Sequence, residues 1–347
     1  MSTAKTRYFL FGSAAILTAG LAAGTVAYMG GMPRALASNT GPDELSLVPA
    51  GAAMVAYANV QGVMTSEFRQ RLNTLMDNEG KGRQEFQEQT GIDVERDIDA
   101  VIAAMSPGAE GATGHGNGFV ALRGRFDIAK IEALVTSKGG QLTDYKGARL
   151  LVAPEEKGES PRIALVNAGL VIVGSDSAVK AAIDRNAGEG TASITSDGEF
   201  VRMLESVDQN STVWAIGRPQ VLGASVGADP GVQVLGQQMP EVKWFAASGH
   251  LNGGLTATIR AEGKDDEAGK NMRDVVQGVL ALARLQLESK PEFKPLLNTV
   301  SVEGTGSGVA VHMTLPAEML DVIVKQASAV HGEHLKQLHD KHRTAEN

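Results

Sequence analysis

The chain of 347 residues contains no cysteine. That excludes disulfides, thiolate metal sites, thiol nucleophiles and lipid attachment through an N-terminal Cys. Aromatic residues make up only 4% of the sequence, with two Trp and four Tyr. A carbohydrate-stacking groove or a base-stacking platform needs exposed aromatic faces, so neither is expected. The formal net charge of -8 argues against a nucleic-acid partner or an anionic-lipid surface. Two assembled catalytic signatures are missing too: there is no His-Glu-x-x-His helix and no Gly-Lys-Ser/Thr phosphate loop.

What is present begins with an uncharged run from Tyr8 to Met29, preceded by Lys5 and Arg7 and followed by the small-residue pattern Ala35-Leu36-Ala37. About 22 residues at 1.5 Å rise cover roughly 33 Å, enough to cross a hydrocarbon core. Length favours a retained signal anchor. Dilution by Ala, Gly and Thr, together with the Ala-x-Ala site, leaves open a signal peptide cut after Ala37. Either way the basic flank stays inside and the remainder is exported. The expectation is a single-pass protein of a bacterial inner membrane, with its N-terminus in the cytoplasm and its body in the periplasm or outside. If it is cleaved, the product is a soluble exported form. Gly20 and Gly24 form a small-xxx-small pair that chance explains in so Gly- and Ala-rich a run.

A polar linker is expected from Ser38 to about Leu45. The chain then reads as strands and helices: a strand at 53–59, and a helix at 67–76 with Phe68, Leu72, Leu75 and Met76 on one stripe. A short helix is expected at 82–90, closed by Gly91. Asp97 is read as the cap of another helix, with Ile98, Val101, Ile102 and Met105 at i, i+3, i+4 and i+7. Phe119–Arg123 reads as a strand. Asp127 is the expected N-cap of the helix that follows, with Phe126 and Ile131 spaced as a hydrophobic staple. Hairpins are predicted around Lys146-Gly147, over 167–169, over Asn252-Gly253 and over 304–308. Helices are expected at 176–185, 219–225, 266–287 and from Pro316 to about Val330.

Strand, strand, helix recurs near 162–186, 243–287 and 299–330. The expected fold class is α+β: antiparallel sheets with helices packed on one face, arranged as two related halves. The expected divisions are a signal anchor or signal peptide at 1–37, a linker at 38–45, a first half at 46–207, a second half at 208–330, and a polar tail at 331–347.

The signatures Thr90-Gly91-Ile92-Asp93, Arg96-Asp97-Ile98-Asp99, Gly124-Arg125-Phe126-Asp127 and Tyr145-Lys146-Gly147 stand in this order behind an apolar N-terminal segment. In this the chain resembles uncharacterised bacterial cell-envelope proteins of the domain-of-unknown-function kind, over roughly residues 45–330. The resemblance implies an exported, membrane-associated protein and brings no catalytic residues with it.

Asp93, Glu95, Asp97 and Asp99 alternate like a calcium loop, but Ile98 stands where the turn needs Gly and Ala104 where the closing acid belongs. The Gly-rich stretch 108–118 leads into a strand, so it reads as a connector. One histidine group remains. His331, His334, His339 and His342 would share one side of a continued helix and could hold zinc, nickel or copper, although a solvated helix end explains them as well. His115, His250 and His312 stand alone in the sequence. The functional expectation is a membrane-tethered, non-enzymatic module without cofactor, tethered through residues 8–29, that binds an envelope protein, a peptide or a lipid. A metal-binding tail and a hydrolase using paired carboxylates are the alternatives.

Overall fold

The computed structural model describes residues 42–75, 87–88, 90–106, 118–137, 139–152, 162–218, 241–251, 253–287, 294–320 and 322. The strands are β1 (Met54–Asn59), β2 (Ile98–Met105), β3 (Gly118–Gly124), β4 (Gln141–Tyr145), β5 (Ala148–Val152), β6 (Arg162–Asn167), β7 (Leu170–Gly174), β8 (Val213–Gly217), β9 (Val242–His250), β10 (Gly254–Gly263), β11 (Ser301–Glu303) and β12 (Gly308–Pro316). All pairings are antiparallel, in one 12-stranded sheet of order β11-β12-β10-β9-β8-β1-β2-β3-β7-β6-β5-β4. The helices are α1 (Val60–Met64), α2 (Glu67–Leu75), α3 (Val94–Asp97), α4 (Ile128–Ser137), α5 (Asp176–Asn186), α6 (Gly198–Ser206), α7 (Asp266–Leu287) and α8 (Lys294–Asn298).

The boundary expected near residue 208 falls in the loop between α6 and β8, but the sheet runs straight through it. β8 pairs with β1, aligning Ala215 with Ala56. Counted outward from this seam, one direction reads β1, β2, β3, β7, β6, β5, β4 and the other reads β8, β9, β10, β12, β11.

The hairpin signals of the sequence and the expected cap at Asp127 are met. Lys146 (φ 48°) and Gly147 (φ 84°) turn β4 into β5, and Gly253 (φ 66°) lies at the β9–β10 turn. The backbone N–H of Lys130 donates to Asp127 Oδ1 at 3.0 Å, and Phe126 and Ile131 are buried in one cluster. Ser175 caps α5 and Asp197 caps α6, each accepting from backbone N–H groups of the first turn.

Three expectations are corrected. Residues 98–105 form strand β2, not a helix, and the cap falls to Asp93, which accepts from Glu95 N in front of the four-residue α3. The helical spacing misleads because β2 is central and buried on both sides: Val101 and Ile102, which point to opposite faces, are 5% and 1% exposed. Gly124 also fits this geometry, since a Cβ there would collide with the carbonyl oxygen of Asp97. The linker, in turn, ends before Leu45. Asp43–Leu47 is a 3-10 turn with Leu45 and Leu47 in the core, and its Arg185 Nε→Leu47 O bond of 2.7 Å ties it to α5.

The helices, finally, lie on both faces. Ile172 packs with Val179 and Ile183 of α5 and with Phe200, Met203 and Leu204 of α6. Its neighbours Val171 and Val173, which point the other way, pack with Ile131 of α4 and Val60 of α1. The two faces are called here the α5 side and the α4 side. A sheet buried this way needs cover on each side, and the strand-strand-helix repeat alone does not say which side a helix takes.

Among the described residues no helix is long and apolar enough to cross a membrane. The run 8–29, the expected helices at 82–90 (save residues 87, 88 and 90) and 219–225, and the stretch 323–330 lie outside them.

Candidate functional site

The tail histidines His331, His334, His339 and His342, and also His115, lie outside the described residues. Among the described residues no three His, Asp or Glu side chains gather to hold a metal ion. The two described histidines are not alone. His312 Nδ1 is hydrogen-bonded to Thr258 Oγ1 at 2.9 Å, and its Nε2 lies 3.7 Å from Glu303 Oε2.

His250, at the end of β9, meets Asp208 Oδ2 at 2.9 Å and Ser211 Oγ at 3.2 Å. Ser, His and Asp within bonding distance suggest a nucleophile triad, but both partners address the same nitrogen, Nε2. A relay needs the carboxylate on one ring nitrogen and the hydroxyl on the other, so that the base is free to take the hydroxyl proton. With the carboxylate on Nε2, that nitrogen carries the proton and cannot accept one from Ser211. The arrangement is a clasp on the 208–211 loop. Its strongest pull is on Asp208, where burial opposes ionisation but the Asn210 backbone N–H and His250 outweigh it and lower the carboxyl below its ordinary value. Sequence reading missed the group because Asp208 and His250 are 42 residues apart.

The acidic alternation at 93–99 is likewise structural. Asp93 caps α3, Asp97 Oδ2 accepts from the Asp93 N–H at 2.7 Å, and Asp99 meets Arg125 at 3.1 Å. The Gly304–Gly308 stretch is the expected hairpin tip. Arg273 of α7 donates to the carbonyl oxygens of Gly306 and Gly308 there, and Gly269 packs so closely on the tip that a Cβ would strike the Gly306 oxygen.

What distinguishes the molecule chemically is the half of the sheet beyond the seam. On the α4 side, register sets Ala215, Ala247, Ile259, Val311 and Val302 in one row across β8, β9, β10, β12 and β11. Val213, Gly249, Ala257 and Met313 form the next row, and Gly217, Phe245, Ala261 and Val309 the one beyond. No residue in these rows carries a side-chain hydrogen-bonding group. One end is sealed: Leu255 and Leu315 pack with Phe68 of α2, Leu251, Met319, Leu320 and Leu296 of α8. The middle is open, with Ile259 53% exposed in an interior strand.

The long helix α7 has a similar gradient. Ala268 and Met272 are buried in its first turns, whereas Val279, Leu282 and Leu285 further on are 40%, 61% and 63% exposed. At 100° per residue Val279 shares the buried stripe of Met272, so a packing stripe continues past the part of the body that covers it.

The α5 side of the same half is polar. It carries Thr258 and His312 in one row, Arg260 in the next and Glu262 in the third. Trp214 stacks on Tyr57 at the seam with a centroid distance of 5.6 Å, and Trp244 Nε1 donates to Glu262 Oε2 at 2.9 Å.

Neither a family model nor a curated protein matches the chain. Among solved structures the chain is similar to that of TP0453, at 12% identity and a TM-score of 0.48, covering 82% of this chain and 97% of that one.

Proposed function

We propose that the protein is a non-enzymatic, membrane-tethered module of the cell envelope that binds an apolar ligand or partner segment on the α4 side of the sheet beyond the seam. The observation that carries this reading is Ile259, 53% exposed in the third strand from the seam, amid three rows without polar side chains. An interior strand has both edges paired, so its backbone offers nothing to a ligand. What remains is aliphatic area, each Å2 of which favours an apolar occupant by about 25 cal/mol. The run 8–29 and its basic flank supply the tether in this reading. Two halves related about the seam fit the matching order of the first five strands on each side, with β5 and β4 outside the correspondence. On that view one copy of a common unit is closed by helices and the other is left open for binding.

The test is titration of the full-length protein with the uncharged apolar dye N-phenyl-1-naphthylamine, followed by fluorescence. Wild type should saturate, and Ile259→Asp and Met313→Asp should each weaken binding at least ten-fold with near-ultraviolet dichroism unchanged. Equal affinity in all three proteins removes the site.

A further inference from the structure

The arginines among the described residues are, as a rule, engaged. Arg123 meets Glu44, Arg149 meets Glu132 and Asp144, Arg162 meets Asp176, and Arg218 meets Asp197 and Glu199. Arg273 spends its guanidinium on two carbonyl oxygens. Arg260 differs. It is partly buried in the middle of β10 on the α5 side, and among the described residues it has neither an ion pair nor a hydrogen bond.

Its cross-strand neighbours are both alanines, Ala246 on β9 and Ala310 on β12, so nothing bulky stands over it from either flanking strand. Thr258, two residues back on the same face, brings a hydroxyl that is already hydrogen-bonded to His312. Trp244 lies diagonally across, held by Glu262. A planar oxyanion would meet the guanidinium of this partly buried residue through two parallel N–H···O bonds.

We propose that Arg260 is the anchor of a binding site for a carboxylate on the α5 side, separate from the apolar surface on the opposite face and independent of it. The surroundings select the charge. Glu262 follows two residues along the strand, roughly 7 Å away, and Glu303 lies two strands across in the same row, roughly 10 Å away. Lys243, 3.9 Å from Glu262, offsets one of them in part. A singly charged carboxylate is accommodated, while a phosphate dianion meets repulsion from both glutamates.

Both tryptophans of the chain, Trp214 and Trp244, stand on this face, so intrinsic fluorescence reads the site directly. The experiment titrates the full-length protein with sodium acetate, phosphate and chloride at fixed ionic strength. A saturable change is expected with acetate, at least ten-fold tighter than with chloride and tighter than with phosphate. Arg260→Gln should weaken acetate at least ten-fold, and Arg260→Lys should weaken it several-fold by losing the fork. Ala310→Asp, which sets a carboxylate beside Arg260 from the facing strand, should fill the site from within: acetate binding disappears and Tm rises. A peptide with a free C-terminus that binds more tightly than acetate identifies a polypeptide terminus as the natural source, and the reverse order identifies a small free acid. The proposal is overturned if wild type shows no saturable response to acetate, or if either Arg260→Gln or Ala310→Asp titrates like wild type.

Discussion

Val120 and Ile259 hold the same place on the two sides of the seam. Each is in the third strand out, on the α4 side, opposite an alanine of the second strand and a valine of the fourth: Ala103 and Val173 for one, Ala247 and Val311 for the other. Val120 is 5% exposed and Ile259 is 53% exposed. The strands do not explain the gap, because both residues are aliphatic and both sit in paired interior strands. Helix cover explains it. Over Val120 lies α4, a ten-residue helix pinned by the Asp127 cap and the Phe126–Ile131 staple, which brings Ile131 onto Val171 and Val173. The first helix after β10 is α7, 22 residues long, whose buried contacts are concentrated in its first turns at Ala268, Gly269 and Met272. The α5 side repeats the contrast. Ala121, fully buried in the first half, has Arg260 as its counterpart, polar and partly exposed. Burial on two faces makes the first half a core; beyond the seam, the exposed Ile259 on one face and the partly exposed Arg260 on the other differ in chemistry.

The contrast can be broken most directly at those two positions. Val120→Asp places a carboxylate among Ile131, Phe126 and Val173 and should cost more than about 4 kcal/mol, enough to unfold the first half. Ile259→Asp should stay within about 1 kcal/mol of wild type by urea denaturation. Equal losses would mean that Ile259 is covered and the asymmetry is false. Within α7, Met272→Ala should cost about 2–4 kcal/mol, whereas Leu285→Ala should move stability by less than about 0.5 kcal/mol.

The halves should also part in acid. Asp176, Asp184, Asp197 and Asp208 all have carboxyl groups held below their ordinary value, and none of them lies beyond residue 208. Lys180 does most for Asp176 and Lys146 for Asp184, through hydrogen bonds to the charged form. A carboxyl lowered in the folded state contributes stability that is complete above its unfolded value and is lost as pH falls through the lower, folded one. Hydrogen exchange at pH 3 against pH 6 should therefore show larger loss of protection in β5–β7 and α5 than in β9–β12, and Asp184→Asn should reduce that difference. Uniform loss across the sheet would count against it. The smallest effect is expected at the seam, where the Thr212 hydroxyl is buried with no hydrogen-bond partner among the described residues. Thr212→Val, of equal shape, should raise stability by about 1 kcal/mol in the same urea assay.

Some of this could be read before folding. Asn252-Gly253, Lys146-Gly147 and Gly304 to Gly308 marked turns because a positive φ or a two-residue loop is a property of the residues themselves. Asp127 with Phe126 and Ile131 announced the start of α4 for the same reason. Reading failed where the deciding partner was distant. The pattern Ile98, Val101, Ile102, Met105 suits a helix and a doubly buried strand equally, and only β1 and β3 on either side decide for the strand. The Asp208–Ser211–His250 clasp and Arg260, without a partner among the described residues, carried no local signal at all, since a histidine or an arginine in a strand looks alike with or without a partner.

The sequence by itself determined the turns at Lys146-Gly147, Asn252-Gly253 and Gly304 to Gly308 and the cap at Asp127, because these follow from backbone preferences and side-chain bonds within a few residues. Tertiary structure alone decided that β1 and β8, more than a hundred residues apart, lie side by side. It also decided that helices cover both faces and that the aliphatic rows around Ile259 remain open. Alternation along a strand says which residues share a face; what covers that face depends on elements brought to it by the rest of the chain.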